Sequence, residues 1–269
     1  MNKRWMLALP LLLLLGCQPD AGAPSADSGL VWSDEFEADE LDLTDWNVAK
    51  GNREFDGWGN EELQYYQDEN LALGDGHLTI TARKADPGEA LPCFDGKSCG
   101  YTSGRITTEG KVTLENGRIE ARMKVPAGAG LWPAFWLLGS GADEWPAGGE
   151  IDAMEWVGTE PTEVYGTIHG PGYSDDAGLQ GSTTTSAPLS DDFHLFAVEK
   201  RPNHIQWFLD GKKFFEATPA SLPPSRQWVF ERPFYALLNL AVGGTWPGAP
   251  TPATQFPATL TVDYLRIYK

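Results

Sequence analysis

Apolar and polar positions alternate along most of the chain after residue 30, with the two-residue period of β-strands. Segments that alternate or run continuously apolar cover residues 77–83, 118–125, 163–169, 193–199, 204–209, 234–242 and 260–268. Turn sequences rich in Gly, Asp and Asn lie between them, at 74–76, 115–117 and 210–212. The pair Asp210-Gly211 separates two aromatic-rich runs, which predicts a tight β-hairpin.

Helical periodicity is weak throughout the sequence. Residues 41–46 and 221–228 favour at most single helical turns, and no internal repeat of fixed period is present. The 30 Gly and 20 Pro among 269 residues suit short strands joined by turns. The pattern predicts an all-β fold, an antiparallel β-sandwich of the jelly-roll type. We expect one domain over residues 30–269, since such sandwiches reach roughly 250 residues as a single unit.

The first 16 residues have the order of a secretory signal peptide. Lys3 and Arg4 precede an apolar run over residues 6–15, and Gly16 follows. The apolar run is shorter than the roughly 20 residues of a membrane-spanning helix. We therefore expect residues 1–16 to be removed from the mature protein.

Residues 14–17 (LLGC) resemble the bacterial lipobox, whose cysteine becomes lipidated, and this makes Cys17 a candidate for a lipid anchor. The alternative is an ordinary signal peptide with an incidental cysteine. Residues 17–29 are small and polar, as expected of a flexible tether. Gln18, where an Asp would favour the inner membrane, points by resemblance to an outer-membrane lipoprotein at the cell surface or in the periplasm.

Cys93 and Cys99 are the two cysteines that remain after Cys17. They lie in one Gly- and Pro-bounded loop of a chain expected to leave the reducing cytosol, so we predict a local disulfide. Metal ligation is the alternative, but no further Cys or His lies nearby in the sequence.

The formal net charge is −18 at pH 7. This sign opposes binding to nucleic acid and to polyanionic substrates. A neutral polysaccharide carries no such electrostatic penalty.

Three acidic residues, Glu150, Asp152 and Glu155, fall within one strand-like segment. In a regular strand Glu150 and Asp152 would share a face and Glu155 would point to the other one. A β-bulge at residues 153–154 would return Glu155 to the first face. Two carboxyl groups about 5 to 5.5 Å apart can then act as nucleophile and general acid/base. Asp152 would raise the proton affinity of its neighbours and hydrogen-bond the nucleophile. A solvated acidic strand face is the alternative.

Tryptophans crowd around these acids in the sequence. Indole rings bind the flat apolar faces of sugars while leaving a polar edge free for hydroxyls. The chain has 11 Trp, and the candidates for sugar stacking are Trp132, Trp136 and Trp246. Core packing is the prediction for Trp32, Trp46 and Trp228.

Seven sequence blocks in the same order resemble the laminarinase-like members of glycoside hydrolase family 16. The resemblance covers about residues 30–269. The blocks are residues 58–66, 101–105, 117–122, 132–136, 150–155, 169–173 and 239–248.

The resemblance implies a concanavalin A-like jelly roll with a concave cleft and hydrolysis with retention of configuration. By position it assigns Glu150 as nucleophile, Asp152 as assisting acid and Glu155 as general acid/base. The matching sugar-binding positions are Asn60, Arg105, Trp132, Trp136, His169 and Trp246. The extra residue Met154 is the bulged version of the acid motif, which also occurs in agarases and carrageenases but not in lichenase-type enzymes.

The resemblance also implies a structural calcium far from the chemistry, at positions matching Glu35, Gly76 and Asp263. Carboxylate and carbonyl oxygens suit calcium. The alternative is an ion-paired Asp263 without a metal. Gly149 stands where many relatives have Cys, and we expect this difference to have little effect on function. The loop that contains Cys93 has no assigned counterpart in the family.

The favoured activity is endo-hydrolysis of β-1,3-glucan, or of mixed β-1,3/1,4-glucan, by a protein that we expect to be a monomer and to need no cofactor for chemistry. A galactan hydrolase acting on agar or carrageenan and a glucan transglycosylase are alternatives. A glucan-binding protein is the alternative without enzyme activity, and such proteins typically lack one of the three acids. Here all three are present.

Overall fold

The computed structural model describes residues 29–53, 55–141 and 143–269. The predicted signal peptide, Cys17 and most of the tether lie outside these residues. The strands are β1 (Leu30–Asp34), β2 (Asn47–Val48), β3 (Gln64–Tyr66), β4 (Leu71–Gly74), β5 (His77–Lys84), β6 (Tyr101–Ser103), β7 (Arg105–Thr107), β8 (Gly117–Lys124), β9 (Leu131–Gly139), β10 (Glu150–Glu155), β11 (Glu163–His169), β12 (Leu179–Thr184), β13 (His194–Arg201), β14 (His204–Leu209), β15 (Lys212–Ala217), β16 (Phe234–Val242) and β17 (Ala258–Tyr268).

Helical structure within the described ranges is confined to short turns. They span Gly57–Glu61, Asp68–Asn70, Asp175–Ala177, Leu189–Asp191 and Pro219–Ser221. Among the residues described, no helix is long and apolar enough to cross a membrane. The prediction of an all-β chain without long helices is confirmed.

Two sheets make up the fold. The larger has ten strands in the order β15-β14-β13-β8-β17-β5-β6-β3, with β1 beside β17 and β4 beside β5. The smaller has seven strands in the order β12-β11-β10-β9-β16-β7-β2. Its paired strands are all antiparallel. In the larger sheet β3 and β6 run parallel. The predicted antiparallel sandwich is confirmed.

The core lies between the sheets and follows from the alternation that the sequence predicts. Ile119 and Met123 of β8 are buried, as is Leu260 of β17 in the same sheet. Phe135 and Leu137 of β9 are buried from the other side. Full burial of a side chain of this size contributes roughly 1.5–3 kcal/mol. The intervening residues of β9 must then point away from the core, toward the outer face of the seven-stranded sheet.

The predicted local features are also present. Asp210 (φ 49°) and Gly211 (φ 74°) form a two-residue turn, because Leu209 of β14 pairs with Lys212 of β15. Positive φ at both turn residues matches the twist of the flanking strands. Trp46 is fully buried. The other two tryptophans predicted to pack, Trp32 and Trp228, lie partly buried against the core.

Candidate active site

Strand β10 contains the predicted bulge. Asp152 pairs with Trp136 of β9, while Met154, two residues on, pairs with the adjacent Phe135. One extra residue of β10 is therefore accommodated between Asp152 and Glu155, and the register against β11 shifts at the same place. The bulge prediction is confirmed.

The bulge places all three acids on the outer face of the seven-stranded sheet. Ile151 and Met154 are fully buried in the core. Glu150 and Glu155 remain half-buried, and Asp152 between them is only 2% exposed. A two-residue period without the bulge would have sent Glu155 inward.

Each acid of this group has a polar neighbour on the same face. The indole Nε1 of Trp145 donates a hydrogen bond to Glu150 Oε2. His169 Nε2 lies 3.2 Å from Asp152 Oδ2. These neighbours come from the loop before β10 and from the end of β11, because Glu150 and His169 are paired across the sheet.

Glu155 accepts hydrogen bonds from two side chains. Trp132 Nε1 donates to Glu155 Oε1 over 3.2 Å, and Thr167 Oγ1 donates to Oε2 over 3.5 Å. The strand pairing explains this contact: Glu155 lies opposite Ala134 on β9, two residues from Trp132. Trp132 therefore has two roles: its ring lies on the outer face of the sheet, and its indole N–H donates a hydrogen bond to Glu155.

Burial and mutual repulsion raise the proton affinity of the three acids. Burial, and then the charge of Asp152, raise the pKa of Glu150 to about 8. Burial also raises the pKa of Glu155 to about 7; His169 acts in the opposite direction, while Glu150 adds to the rise. Burial and the charge of Glu155 raise the pKa of Asp152 well above its ordinary value. Near neutral pH the group thus keeps protons that solvated carboxyls lose. A mixture of acid and carboxylate is what two-carboxylate glycoside chemistry requires.

The same group is the one place in the described part of the chain where several potential metal ligands converge. One ligand atom each of Glu150, Asp152 and His169 lies within 4.8 Å of the others. Two of the three, Glu150 and Asp152, are the acids whose pKa values burial raises.

An aromatic group borders Glu155. Trp132 and Trp246 meet edge to face with ring centroids 5.5 Å apart, and Tyr165 meets Trp246 at 5.2 Å. Trp246 keeps 39% of its surface exposed. A large apolar ring in this position, next to hydrogen-bonding groups, suits the face of a pyranose ring.

A second group lies nearer the β7 edge of the sheet. The guanidinium of Arg105 is sandwiched between Trp58, at 4.3 Å from its ring centroid, and Trp136, at 4.8 Å. Trp136 Nε1 donates to Asn239 Oδ1 over 2.7 Å. Three strand spacings separate β7 from β10, or about 14 Å at roughly 4.8 Å each. A polysaccharide long enough to lie across the sheet would reach both groups.

A buried polar network supports this second group. Glu62 is 4% exposed and accepts hydrogen bonds from Gln64 Nε2 (2.6 Å), the Tyr66 hydroxyl (3.1 Å) and Asn60 Nδ2 (3.3 Å). Burial raises the pKa of Glu62, and the charge of Arg105 opposes that rise. The network thus joins Asn60 and Arg105 through one carboxyl group.

The six predicted sugar-binding residues fall into two sets. His169 and Trp132 adjoin the acids, with Trp246 packed against Trp132. Arg105 and Trp136 stack on each other nearer β7. Asn60 connects the two sets, since its backbone oxygen accepts a hydrogen bond from the amide of Thr245, beside Trp246.

Sequence reasoning did not assign roles to Trp58, Glu62 or Trp145. Trp58 and Glu62 belong to the block 58–66, and Trp145 precedes the acid motif by five positions. Membership of a matching block was the available signal for Trp58 and Glu62, and proximity to the acid motif was the signal for Trp145. Their contacts depend on loop conformations that the alternation of strands does not predict.

The residues of the predicted calcium site are engaged differently. Arg266 donates to both carboxylate oxygens of Glu35, over 2.9 and 2.7 Å. Asp263 accepts from Arg122 over 2.7 Å. The carboxylate beside Gly76 belongs to Glu37, whose Oε1 would lie 3.2 Å from a Cβ at Gly76. The carboxylates of Glu35 and Asp263 are thus both ion-paired here, and calcium at Glu35, Gly76 and Asp263 stays a prediction.

The predicted disulfide is confirmed. Cys93 and Cys99 are bonded, with their Cα atoms 4.9 Å apart, and both are buried.

A β-sandwich with three proton-sharing carboxyls and two aromatic groups on one sheet face is the arrangement of a glycoside hydrolase. The sequence model of glycosyl hydrolases family 16 matches residues 56–266. The chain belongs to that family.

Individual relatives agree with this assignment. A β-glucanase from Rhodothermus marinus is 39% identical, over 97% of this chain and 93% of that protein. The structure of an endo-β-1,3-glucanase from Pyrococcus furiosus is similar at a TM-score of 0.82 and 44% identity, covering 89% of this chain and 94% of that one. The laminarinase catalytic domain of Thermotoga maritima gives a TM-score of 0.84 at 42% identity, covering 89% and 97%.

Proposed function

We propose that the protein cuts β-1,3-linked glucan chains internally by a retaining double displacement, with Glu150 as nucleophile and Glu155 as general acid/base. The observation that carries this proposal is the β10 bulge, which brings Glu155 to the face of Glu150 and beside Trp132. Without the bulge the two glutamates would lie on opposite sides of the sheet.

The first step forms a covalent glycosyl-enzyme. A carboxylate oxygen of Glu150 attacks the anomeric carbon as the bond from that carbon to the leaving oxygen breaks. Glu155 transfers its proton to the leaving oxygen, which departs as a sugar hydroxyl. The hydrogen bond from Trp145 holds Glu150, and those from Trp132 and Thr167 stabilise the carboxylate that Glu155 becomes.

The second step releases the sugar. Glu155, now a carboxylate, removes a proton from water, and the water oxygen attacks the anomeric carbon. The ester bond to Glu150 breaks, and Glu150 leaves as a carboxylate. Two displacements at the same carbon restore its original configuration.

Three observations support a neutral β-glucan as substrate. The similar proteins reported above are named β-glucanase, endo-β-1,3-glucanase and laminarinase. The chain is strongly acidic, with a net charge of −18, which disfavours sulfated galactans. Arg105 of the sheet face is covered by two tryptophan rings, where it favours stacking over capture of a sulfate.

Product analysis tests the proposal. The purified protein is incubated separately with laminarin, curdlan, barley mixed-linkage glucan and agarose, alongside a Glu150→Gln variant. We expect oligosaccharides of several lengths from laminarin, reduced roughly 10³-fold or more in the variant. Cleavage of agarose alone would transfer the assignment to a galactan hydrolase. Products longer than the substrate would indicate transglycosylation, and no cleavage of any polymer would favour a binding protein.

We further propose that the protein is an outer-membrane lipoprotein tethered through Cys17. The supporting observations are the LLGC sequence at residues 14–17, the apolar run before it and the small polar residues that follow. Replacement Cys17→Ser should move the protein from the membrane fraction to the soluble fraction. Unchanged membrane association and the absence of lipid label on Cys17 would contradict the anchor.

A further inference from the structure

The disulfide loop, residues 93–99, packs against the loop that carries two residues of the sheet face. That second loop, of which residues 53 and 55–61 are described, is named the Trp58 loop, and it holds Trp58 and Asn60. Phe94 is the point of contact: its ring fills the space beside Gly57, where a Cβ would come within 2.9 Å of Cδ1. The two loops therefore fit together without room for an additional methyl group.

Asn52 joins the two loops by hydrogen bonds. It is 1% exposed, and its Oδ1 accepts from the backbone amide of Phe94 over 2.8 Å. Its Nδ2 donates to the backbone oxygens of Glu62 (2.8 Å) and Gln64 (2.7 Å). One buried amide thus closes the base of the Trp58 loop and fastens it to the disulfide loop. The two bonds that Nδ2 donates are buried, where water does not compete with them.

The backbone of the Trp58 loop requires such support. Arg53, Trp58 and Glu61 all have φ between 54 and 62°, a left-handed conformation that disfavours residues other than glycine. Unfavourable backbone conformations persist only where the surrounding structure fixes them. The disulfide loop supplies that constraint through the contacts of Phe94 with Asn52 and Gly57.

The constraint extends to the sheet face. Trp58 stacks on Arg105 at 4.3 Å, and Arg105 stacks on Trp136 at 4.8 Å. A shift of the Trp58 loop would therefore displace the sugar-binding group near β7. The acids on β10 lie three strands away and make their own hydrogen bonds with Trp145, Trp132 and Thr167.

We propose that the disulfide loop is a positioning element, which through Asn52 and Phe94 sets the affinity of the cleft for glucan units bound remote from the cleaved bond. This rests on the proposed function. Neither Asn52 nor Phe94 touches the acids, so the element acts on the binding of long chains and not on bond cleavage.

The test compares long and short substrates. The variants are Asn52→Ala, Phe94→Ala and the double variant Cys93→Ser/Cys99→Ser. The substrates are laminarin and an aryl β-1,3-glucoside short enough to occupy only the positions next to the acids. We expect KM for laminarin to rise about three- to tenfold, with kcat/KM for the short substrate within about twofold of the parent.

Lys97→Ala is the matched control, because Lys97 lies in the same loop but pairs only with the exposed Asp95. It should leave both substrates unaffected. Phe94→Ala keeps the disulfide and Asn52, so it remains informative if the other variants fold poorly. Thermal unfolding of each variant identifies those that are folded at the assay temperature.

Two results would overturn the inference: an equal loss on both substrates, which indicates a general structural role, or an unchanged KM for laminarin in folded variants. Either result leaves cleavage of laminarin by the parent protein intact. Failure of the parent to cut any β-1,3-glucan would instead refute the proposed function. The long-versus-short comparison would then be made on the polymer that it does cut.

Discussion

Trp132 donates its indole N–H to Oε1 of Glu155 over 3.2 Å, while its ring packs edge-on against Trp246. The aromatic surface and the proton-transferring group are therefore held by one side chain. The hydrogen bond favours the ionised carboxylate and so lowers the pKa of Glu155, against the larger effect of burial, which raises it. Binding and proton affinity are coupled at this position.

Replacing Trp132 by Phe should move the pH dependence of the reaction. The ring is retained, but Glu155 loses a donor, so its pKa rises further. The basic limb of kcat/KM, where the acid loses its proton, should shift upward by about half a pH unit or more. Steady-state rates across pH measure this. Trp246→Phe is the control, which should weaken binding while leaving the limb in place. If the basic limb of kcat/KM lay at the same pH in both variants, the proposed effect of the Trp132 hydrogen bond on the pKa of Glu155 would be wrong.

The role of Glu150 has a chemical test. Glu150→Ala should lose nearly all turnover, because no covalent intermediate can form. Azide should then enter the vacated space and attack the anomeric carbon directly. A single displacement gives a glycosyl azide of inverted configuration, which NMR identifies. A retained configuration in that product would argue for a different nucleophile.

The role of Glu155 as general acid can be tested with two substrates whose leaving groups differ in their need for protonation. Glu155→Ala removes the proton donor, so hydrolysis of laminarin should fall by about 10²–10⁴-fold. An aryl glycoside with an acidic phenol needs little protonation, and its first step should be far less affected. The two substrates are compared by steady-state kinetics. Equal losses on both would remove Glu155 from the acid role.

The sequence predicts those parts of the site that depend on the spacing of residues along a single strand. The odd spacing of Glu150 and Glu155 required a bulge, and the bulge is present at Asp152–Met154. The crowding of tryptophans around the acids selected Trp132 and Trp136 for sugar binding, and both lie at half-buried positions of β9 while Phe135 between them is buried. These features follow from the period of a strand and need no knowledge of distant residues.

Features that depend on long-range contacts were not predictable in this way. Glu62 sits in a polar block that suggests exposure, and it is buried because Tyr66 and Arg105 close over it. The ion pair of Glu35 is a second case, because β1 lies antiparallel on β17 with Ser33 opposite Arg266. That register brings the guanidinium to Glu35. Neither outcome can be deduced from spacing along the chain.

The buried network at Glu62 predicts a variant with two linked defects. In Glu62→Gln an amide replaces the carboxylate that accepts three hydrogen bonds and faces Arg105. We expect the free energy of unfolding to fall by about 1–3 kcal/mol. KM for laminarin should rise more than kcat falls. Urea unfolding and steady-state kinetics measure the two effects, and the exposed neighbour Glu61 provides the control Glu61→Gln. A fully stable Glu62→Gln protein would show that the carboxylate is dispensable.

The raised pKa of Glu150 predicts how stability depends on pH. Folding raises the pKa of Glu150 to about 8 and that of Glu155 to about 7, so in this window the acids together retain a proton that the unfolded chain has lost. The proton belongs to the group and not to one residue, and in the reactive form it lies on Glu155 while Glu150 is ionised. Stability contributed by this shared proton is present below pH 4.5 and is lost as the pH rises toward 8. Glu150→Gln removes one of the carboxyl groups that share it. Its free energy of unfolding should therefore fall less steeply than that of the parent between pH 5 and 8, and at pH 8 the inactive variant should be the more stable protein.

Urea unfolding at several pH values between 5 and 8 measures the two slopes. Asp95→Asn is the control, because hydrogen bonds from the side chain and the backbone amide of Lys97 lower the pKa of Asp95 below its ordinary value. That carboxylate is ionised in both the folded and the unfolded protein above pH 5, so its removal should leave the slope unchanged. Parallel lines for the parent and Glu150→Gln would mean that Glu150 titrates normally. The proton-sharing arrangement of the three acids would then be wrong, since a carboxyl held between Asp152 and Trp145 in a half-buried face cannot ionise as freely as one in water.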